Sequence, residues 1–375
     1  MSGARPLAIY AITAHGLGVA ERLCAALPDA DLYASERVAG GARAGALPLP
    51  LPMGPTLNGT FAAYAGHVFV ISVGAVVRMI APLLGDKKTD PAVVCVDDAA
   101  RFAVCVLSGH VGRGNELTDR VARLLGAQSV VTTASDVRRT LTVDILGRDL
   151  GWTLDDPDRN VTRASAAVVS ERPVLFVQEC GEPTFWPLEQ SLPPGVGYAT
   201  SLEGVDPGAW EALLIASDRD LADAGAWCLE KAVVYRPKSL VLGIGCDRGT
   251  PADLVERGVA ALLAKHGLSD RAVKAVATVN LKAGEPAIQA LCAGRGWELW
   301  TYGAAELDAV EAPTPSAVVK RHIGTRGVAE PAALLGAGTG RLLVAKQIYT
   351  EPGAERSMTL AVARIPHPVR KEMAS

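Results

Sequence analysis

The chain is poor in the residues and spacings that metal and redox chemistry need. Its seven cysteines (Cys24, Cys95, Cys105, Cys180, Cys228, Cys246 and Cys292) form no C-x-x-C pair. His67, His266, His322 and His367 stand at no metal-ligand spacing from cysteine or carboxylate, so no zinc site or resident metal is expected. An odd count of cysteines, several inside apolar runs, reads as reduced, buried thiols. No charge-free apolar run reaches the length of about 18 residues that a membrane span needs. No signal peptide is read before the first strand-like run, so a cytoplasmic protein is expected. The near-balanced charge, −3 with a pI near 6.1, excludes broad nonspecific nucleic-acid binding. Only 21% of residues are charged and 49% are hydrophobic, which is enough to bury sizeable cores.

What is present is a strand–helix alternation over 375 residues, a length that suggests two or three domains. In the first part, strands are expected over 7–13, 68–73, 92–96, 102–107 and 129–132, and helices over 18–27, 56–65, 75–84 and from 115. The pair 92–96 and 102–107 reads as a hairpin. Residues 136–237 are less regular: a helix over 141–150, strands over 174–178 and 212–216, and a Pro-, Gly- and Trp-rich stretch from Glu179 to Trp210. From 238 a new unit starts, with strands over 240–244, 272–279, 298–302, 342–345 and 358–365 and helices over 251–265, 285–293 and 328–335. The expected fold is α/β: two sandwich-like α/β domains with mainly parallel sheets (1–135 and 238–368), a smaller irregular middle region (136–237), and a frayed tail (369–375).

The richest stretch is Leu107-Ser108-Gly109-His110-Val111-Gly112-Arg113-Gly114-Asn115-Glu116, between a strand and a helix. Unpartnered N–H groups at a helix start favour an anion, and Gly109, Gly112 and Gly114 let backbone approach it. The spacing nearly satisfies a Walker A loop, but Asn115-Glu116 replaces Lys-Ser/Thr, so a nucleoside triphosphate is excluded in favour of another anion. Two further loops, Gly16-Leu17-Gly18 and Gly243-Ile244-Gly245, follow strands; all three lack the third glycine of a dinucleotide fingerprint, having Glu21, Leu117 and Arg248 there. The loop at 109–116 is expected where a parallel sheet opens its ligand crevice. His110 is the one side chain there that titrates near neutrality, and ordering of the loop is its alternative role. No Gly-x-Ser-x-Gly elbow is present, although Ser108 precedes a glycine. Lys87, Lys88, Lys282, Arg321, Arg326 and Lys346 are each surface charges unless they border a crevice.

Taken in order, the segments from Gly74 to Leu84, Lys88 to Val94 and Leu107 to Gly112 resemble the N-terminal signature of the cobalt-precorrin-5A hydrolase (CbiG) family. Gly243 to Gly249, Leu281-Lys282, Pro313 to Ser316, Gly327 to Leu335 and Gly340 to Lys346 are similar to its C-terminal domain. The chain departs from the pattern at Arg113-Gly114-Asn115, where Gly-Ala-Asn is expected, and at Asp247-Arg248, where two basic residues are common.

The resemblance implies opening of the ring A δ-lactone of a cobalt-corrinoid intermediate in anaerobic cobalamin synthesis, with the extruded carbon and its methyl group leaving as acetaldehyde. The cobalt comes with the substrate, so no cofactor is expected. His110 suits water activation and leaving-group protonation, and Lys88, Asp90 and Glu330 are candidates for a second acid or base. N–H groups around Gly112–Asn115 are expected to hold the oxyanion. Ser108, Gly109, Gly112, Arg113, Gly114, Asn115 and Arg78 are expected to contact substrate in the first domain, with Gly243, Gly245, Arg248, Lys282 and Lys346 in the last. Neighbouring cobalamin-pathway enzymes or further copies of the chain are the expected macromolecular partners. The alternative is a non-catalytic carrier of corrinoid intermediates.

Overall fold

A computed structural model describes residues 7–38, 40, 45–133, 140–222, 226–315, 320, 324–353 and 356–368. The chain divides into two compact units, Met1–Ile145 and Leu146–Ser375. The expected boundary at 135/136 and the tail 369–375 lie outside the described residues.

The first unit is one seven-stranded sheet, ordered β3-β2-β1-β4-β5-β6-β7. Its strands are β1 (Leu7–Ala11), β2 (Ala30–Ser35), β3 (Leu47–Leu49), β4 (Gly66–Val70), β5 (Ala92–Val96), β6 (Phe102–Leu107) and β7 (Gln128–Val130). β1 to β5 are mutually parallel, β6 turns back antiparallel to β5 as a hairpin, and β7 follows β6 in parallel. Burial on both faces explains why β4 and β5 read as continuous apolar runs. Along β1, Ile9 and Ala11 face α1 (Ala14–Ala26) and α4 (Gly114–Leu125), while Ala8 and Tyr10 face α2 (Gly54–Thr60) and α3 (Val73–Ile80). In α4, Leu117, Val121 and Leu125 recur at one-turn spacing and are buried, and Gly126 closes the helix at φ 70°. The sequence reading passed over β2 and β3; β2 carries the exposed Asp31 within an otherwise buried strand, which breaks its apolar run.

The second unit holds two sheets. Residues 146–237 are not irregular: they form a five-stranded sheet ordered β10-β9-β11-β12-β8. The strands are β8 (Thr153–Leu154), β9 (Val174–Gln178), β10 (Val196–Ala199), β11 (Ala212–Ala216) and β12 (Ala232–Arg236), all parallel except β8, with α5 (Val161–Val169) against them. The helix expected over 141–150 is replaced by turns and a 3-10 segment, Arg148–Leu150. Gly147 at φ 72° lies so close to the Trp152 ring that a Cβ would stand 2.3 Å from it, so a helical residue does not fit there.

The last sheet is ordered β15-β14-β13-β17-β16. β13 (Leu240–Cys246), β14 (Val273–Val279) and β15 (Glu298–Tyr302) are parallel, and β17 (Met358–Arg364) and β16 (Leu342–Tyr349) close it antiparallel. Leu240, Leu242 and Ile244 pack on α7 (Ala252–Lys265) and α8 (Pro286–Arg295); Val241 packs on α10 (Ala329–Ala337) through Ala333 and Ala337. α10 ends at Ala337 and is capped by Gly338, φ 62°, two residues beyond the expected end at 335; Gly336 is inside the helix, where its missing side chain makes room for Val241 and Trp300. The two sheets of this unit are tied by Arg364, whose guanidinium donates to both oxygens of the fully buried Asp218 at 2.6 Å.

Candidate functional site

The hairpin decides where the glycine loop stands. Because β6 runs against β5, the loop after Leu107 lies at the sheet edge opposite the carboxyl ends of β1, β4 and β5. The expected placement in the crevice of the parallel strands is therefore corrected. At that other edge the Gly16 loop is a capped helix start: Thr13 Oγ1 accepts from the Gly16 N–H at 3.0 Å and donates to Asp98 Oδ1 at 2.7 Å. Asp98 supplies the negative charge that this helix end favours, and His15 is exposed.

Within the loop, the glycines serve self-packing. A Cβ on Gly114 would stand 2.6 Å from the Leu107 carbonyl, on Gly112 2.5 Å from Ser108 Cβ, and on Gly109 2.7 Å from Asn115 Oδ1. Ser108 (φ 56°) and Arg113 (φ 63°) both adopt the left-handed conformation without being glycine. The expected oxyanion donors are consumed: Arg113 N–H donates to His110 O (3.0 Å), Gly114 N–H to Ser108 O (2.9 Å) and Asn115 N–H to Gly109 O (3.0 Å). An anion site on these N–H groups is accordingly corrected, because a donor already bonded to a carbonyl offers a ligand little. Arg113 Nε donates to Glu116 Oε2 at 2.7 Å on the surface.

The loop presents His110, whose side chain is 17% exposed and whose Nδ1 lies 3.6 Å from Asp144 Oδ1. A carboxylate beside one ring nitrogen favours the protonated ring electrostatically. The segment before β5 is stitched to this loop: Ser108 Oγ donates to Asp90 O at 2.9 Å. Asp90's carboxylate accepts the Gly85 N–H at 3.1 and 3.2 Å, so it closes its own turn, while the Lys88 N–H donates to Asp86 Oδ1 at 2.9 Å. Ser108, His110, Asp90 and Lys88 thus belong to adjoining segments. Arg78 stands apart: it is exposed on α3 and donates to Gly74 O.

In the second unit, a cavity of about 320 Å³ opens at the carboxyl ends of β13 and β14, lined by Gly245, Cys246, Lys282, Lys346, Ile348 and Thr359 among others. A Cβ on Gly245 would meet Thr359 Oγ1 at 2.7 Å, whereas one on Gly243 would stand 1.8 Å from the Ala329 carbonyl. Gly243 therefore serves helix packing, and Gly245 borders the cavity. Lys282 Nζ is 3.0 Å from Glu285 Oε2, and Glu285 also accepts the Gly249 N–H at 2.8 Å. Burial raises the Glu285 carboxyl, but Lys282, the Gly249 N–H and the nearby Arg248 outweigh it and hold it below the usual range. Burial pushes the Cys246 thiol up despite Lys282, which disfavours a thiolate nucleophile.

Lys346 Nζ donates to the neutral Thr314 carbonyl at 2.9 Å and has no carboxylate partner among the described residues. Its backbone is fixed by Glu330: the 2%-exposed carboxylate accepts from Lys346 N–H, Thr314 N–H and Thr314 Oγ1 at 2.9, 3.0 and 2.7 Å. Glu330, expected as an acid or base, is instead a saturated acceptor that positions the lysine. Sequence reasoning missed Asp144, Glu285 and Thr314. Glu285 was within reach, three residues after Lys282; Asp144 carries no local signal for its meeting with His110.

Both units are α/β, with mostly parallel sheets covered by helices. Family models match along the chain: "Cobalamin synthesis G N-terminal" over residues 55–136, "Cobalamin biosynthesis central region" over 141–237 and "Cobalamin synthesis G C-terminus" over 240–363. The chain is 38% identical over 368 residues to the cobalt-precorrin-5A hydrolase of Priestia megaterium, covering 96% of this chain and 95% of that one. It is 31% identical over 372 residues to the cobalt-precorrin-5A hydrolase of Salmonella typhimurium, covering 95% and 97%. Protein CobE of Sinorhizobium sp matches at 39% over 113 residues, 30% of this chain and 73% of that protein. The chain belongs to the cobalt-precorrin-5A hydrolase (CbiG) family.

Proposed function

We propose that this chain is a cobalt-precorrin-5A hydrolase, which opens the ring A δ-lactone of its cobalt-corrinoid substrate and releases the extruded two-carbon unit as acetaldehyde. The observation that carries this is relatedness at 38% identity along 96% of the chain to a protein of that name. His110, held beside Asp144, takes a proton from water as it attacks the lactone carbonyl. The acyl–oxygen bond breaks, leaving a carboxylate on the acetate arm and a hydroxyl on the extruded carbon. Loss of that hydroxyl's proton with cleavage of the bond to the macrocycle makes the extruded carbon and its methyl group acetaldehyde. The bonding pair stays on the macrocycle, which takes up a proton.

Lys88, Asp90 and Glu330 are the three candidates for this second proton transfer, and Asp90 and Glu330 each accept backbone N–H groups. Lys346 suits a substrate carboxylate, as an ammonium whose acceptor, the Thr314 carbonyl, is uncharged. The cobalt travels with the substrate, and the chain's own residues perform the chemistry without a cofactor. Among the described residues no helix is long and apolar enough to cross a membrane, and we place the activity in the cytoplasm. Its macromolecular partners are neighbouring cobalamin-pathway enzymes or, in a homo-oligomer, further copies of this chain.

The test supplies the cobalt-precorrin lactone anaerobically with an aldehyde trap, without nucleotide or added metal. One acetaldehyde per lactone consumed is expected. Tight binding of an intact lactone with no aldehyde would instead favour a carrier of corrinoid intermediates.

A further inference from the structure

The middle sheet contains a feature that the hydrolytic reading does not use. In the order β10-β9-β11-β12, the chain leaves β9 towards β10 on one side and then resumes at β11 on the other. The carboxyl ends of β9 and β11 are therefore a topological switch point, the place where open parallel sheets form a ligand crevice. A cavity of about 400 Å³, within the range of small-molecule sites, opens beside the carboxyl end of β9. Gln178 to Gly181 and Tyr198 form one wall, and Arg341 to Leu343 and Arg364 to Pro368 the other.

The charges lining this cavity are mostly spent. Glu179 accepts from Ser217 Oγ at 2.6 Å and Arg219 Nη1 at 2.9 Å. Arg364 is neutralised by the bidentate pair with Asp218. Burial, with Asp218 adding to it, pushes the Cys180 thiol far up, so it brings no negative charge. Gln178 and Tyr198 satisfy each other at 3.1 Å. Arg341 remains: among the described residues its guanidinium has no hydrogen-bond or ion-pair partner, and His367 lies on the same wall, likewise without one. Leu342, Ile365 and Pro366 give the rest of that wall an apolar character.

We propose that this cavity is a second binding site, for a small carboxylate with an apolar body, held by Arg341. A guanidinium matches a carboxylate's two oxygens, and the apolar wall suits a hydrocarbon remainder. A phosphate or nucleotide fits worse. After β9 the chain carries Glu179 and Glu182 and enters a 3-10 turn, Pro183–Phe185, so there is neither a glycine-rich cradle nor a helix N-terminus to receive it. The carboxylate is either that of a free acid or a carboxylate arm of the macrocycle.

The test is ligand-observed NMR on the full chain with hexanoate, benzoate and glutarate as probes, and inorganic phosphate and ADP as comparison anions. Saturable binding of at least one carboxylate is expected, weakened tenfold or more in Arg341→Ala and less in Arg341→Lys, with thermal unfolding unchanged. An Arg341→Ala rise in KM for the cobalt substrate identifies the macrocycle's arm as the ligand, and an unchanged KM identifies a free acid. The proposal is overturned if no carboxylate saturates, if Arg341→Ala binds as the parent does, or if only phosphate and ADP bind. The probe titrations need no turnover, so a chain without hydrolase activity would leave them readable.

Discussion

The two glycine-bearing loops that looked alike in sequence, 108–114 in the first unit and 243–249 in the second, have been put to opposite uses. In the first, backbone N–H groups are consumed by the loop's own carbonyls and the glycine faces by the loop's own atoms, and one half-buried histidine stands beside Asp144. In the second, only Gly243 is filled by a neighbour's backbone; Gly245 borders an open cavity with two lysines on its walls. A glycine cluster after a strand thus marks close approach of backbone to something, and the something is as often the protein itself as a ligand. The first loop is closed on itself, and the second borders an open cavity.

The largest effect that would break this division is on His110. His110→Ala is expected to lower kcat by roughly 10²–10⁴-fold, with KM and thermal unfolding little changed, as for loss of an acid–base group. Asp144→Asn should lower kcat less, since it removes the orienting carboxylate and leaves the ring, and should alter the pH profile of kcat. Anaerobic acetaldehyde assays across pH decide this. Wild-type kcat in folded His110→Ala would assign the loop to binding alone.

A second contrast concerns acid stability. His67 in β4 is fully buried. Its Nε2–H faces the Phe61 carbonyl at 3.0 Å and its Nδ1 the Tyr10 hydroxyl at 3.1 Å, an arrangement that satisfies the neutral ring. Burial lowers its pKa to about 4, only partly opposed by the Phe61 carbonyl. Between pH 6.5 and 4 the unfolded chain binds the proton that the folded one refuses, so stability falls as pH falls through that window, by roughly 3 kcal/mol. All six tryptophans lie between positions 152 and 300. Tryptophan fluorescence accordingly follows the second unit and should show little of this loss, whereas peptides spanning β4 should lose hydrogen-exchange protection from pH 7 to pH 5 once rates are corrected for the intrinsic pH dependence of exchange. Equal acid sensitivity by both probes would show that His67 is not the cause.

Much of this was legible from residues alone, and the failures have physical reasons. Buried parallel strands such as β5 and β11 announce themselves as unbroken apolar runs, and the hairpin of β5 and β6 was read at its true ends. The consequence of that hairpin was not drawn: reversing one strand moves its loop to the other edge of the sheet. β10 went unseen beside the legible β9 and β11, because a four-residue strand, Val196–Ala199, half-buried at a sheet edge, gives no periodic signal. The site was legible as residue types but not as states. His110 and Lys346 could be chosen by chemistry, whereas the saturation of Glu330 depends on Thr314 and Lys346 arriving from sixteen residues away on either side.

The smallest expected effect concerns the binding half of the comparison. Lys346 keeps an uncharged acceptor, Thr314 O, while Lys282 already faces Glu285. A carboxylate arriving in the cavity therefore gains more from Lys346 than from Lys282, whose charge is largely answered. A hydrogen bond to a charged group contributes about 1.5–3 kcal/mol, so Lys346→Ala should raise KM roughly 10- to 100-fold at unchanged kcat. Lys282→Ala should do less to KM and more to stability, because it strands the nearly buried Glu285, which keeps the Gly249 N–H alone among its two strong partners. Steady-state kinetics of the two variants, beside their unfolding midpoints, separates the roles. If Lys282→Ala raises KM more than Lys346→Ala does, the ion pair opens for substrate and the ranking of the two lysines is reversed.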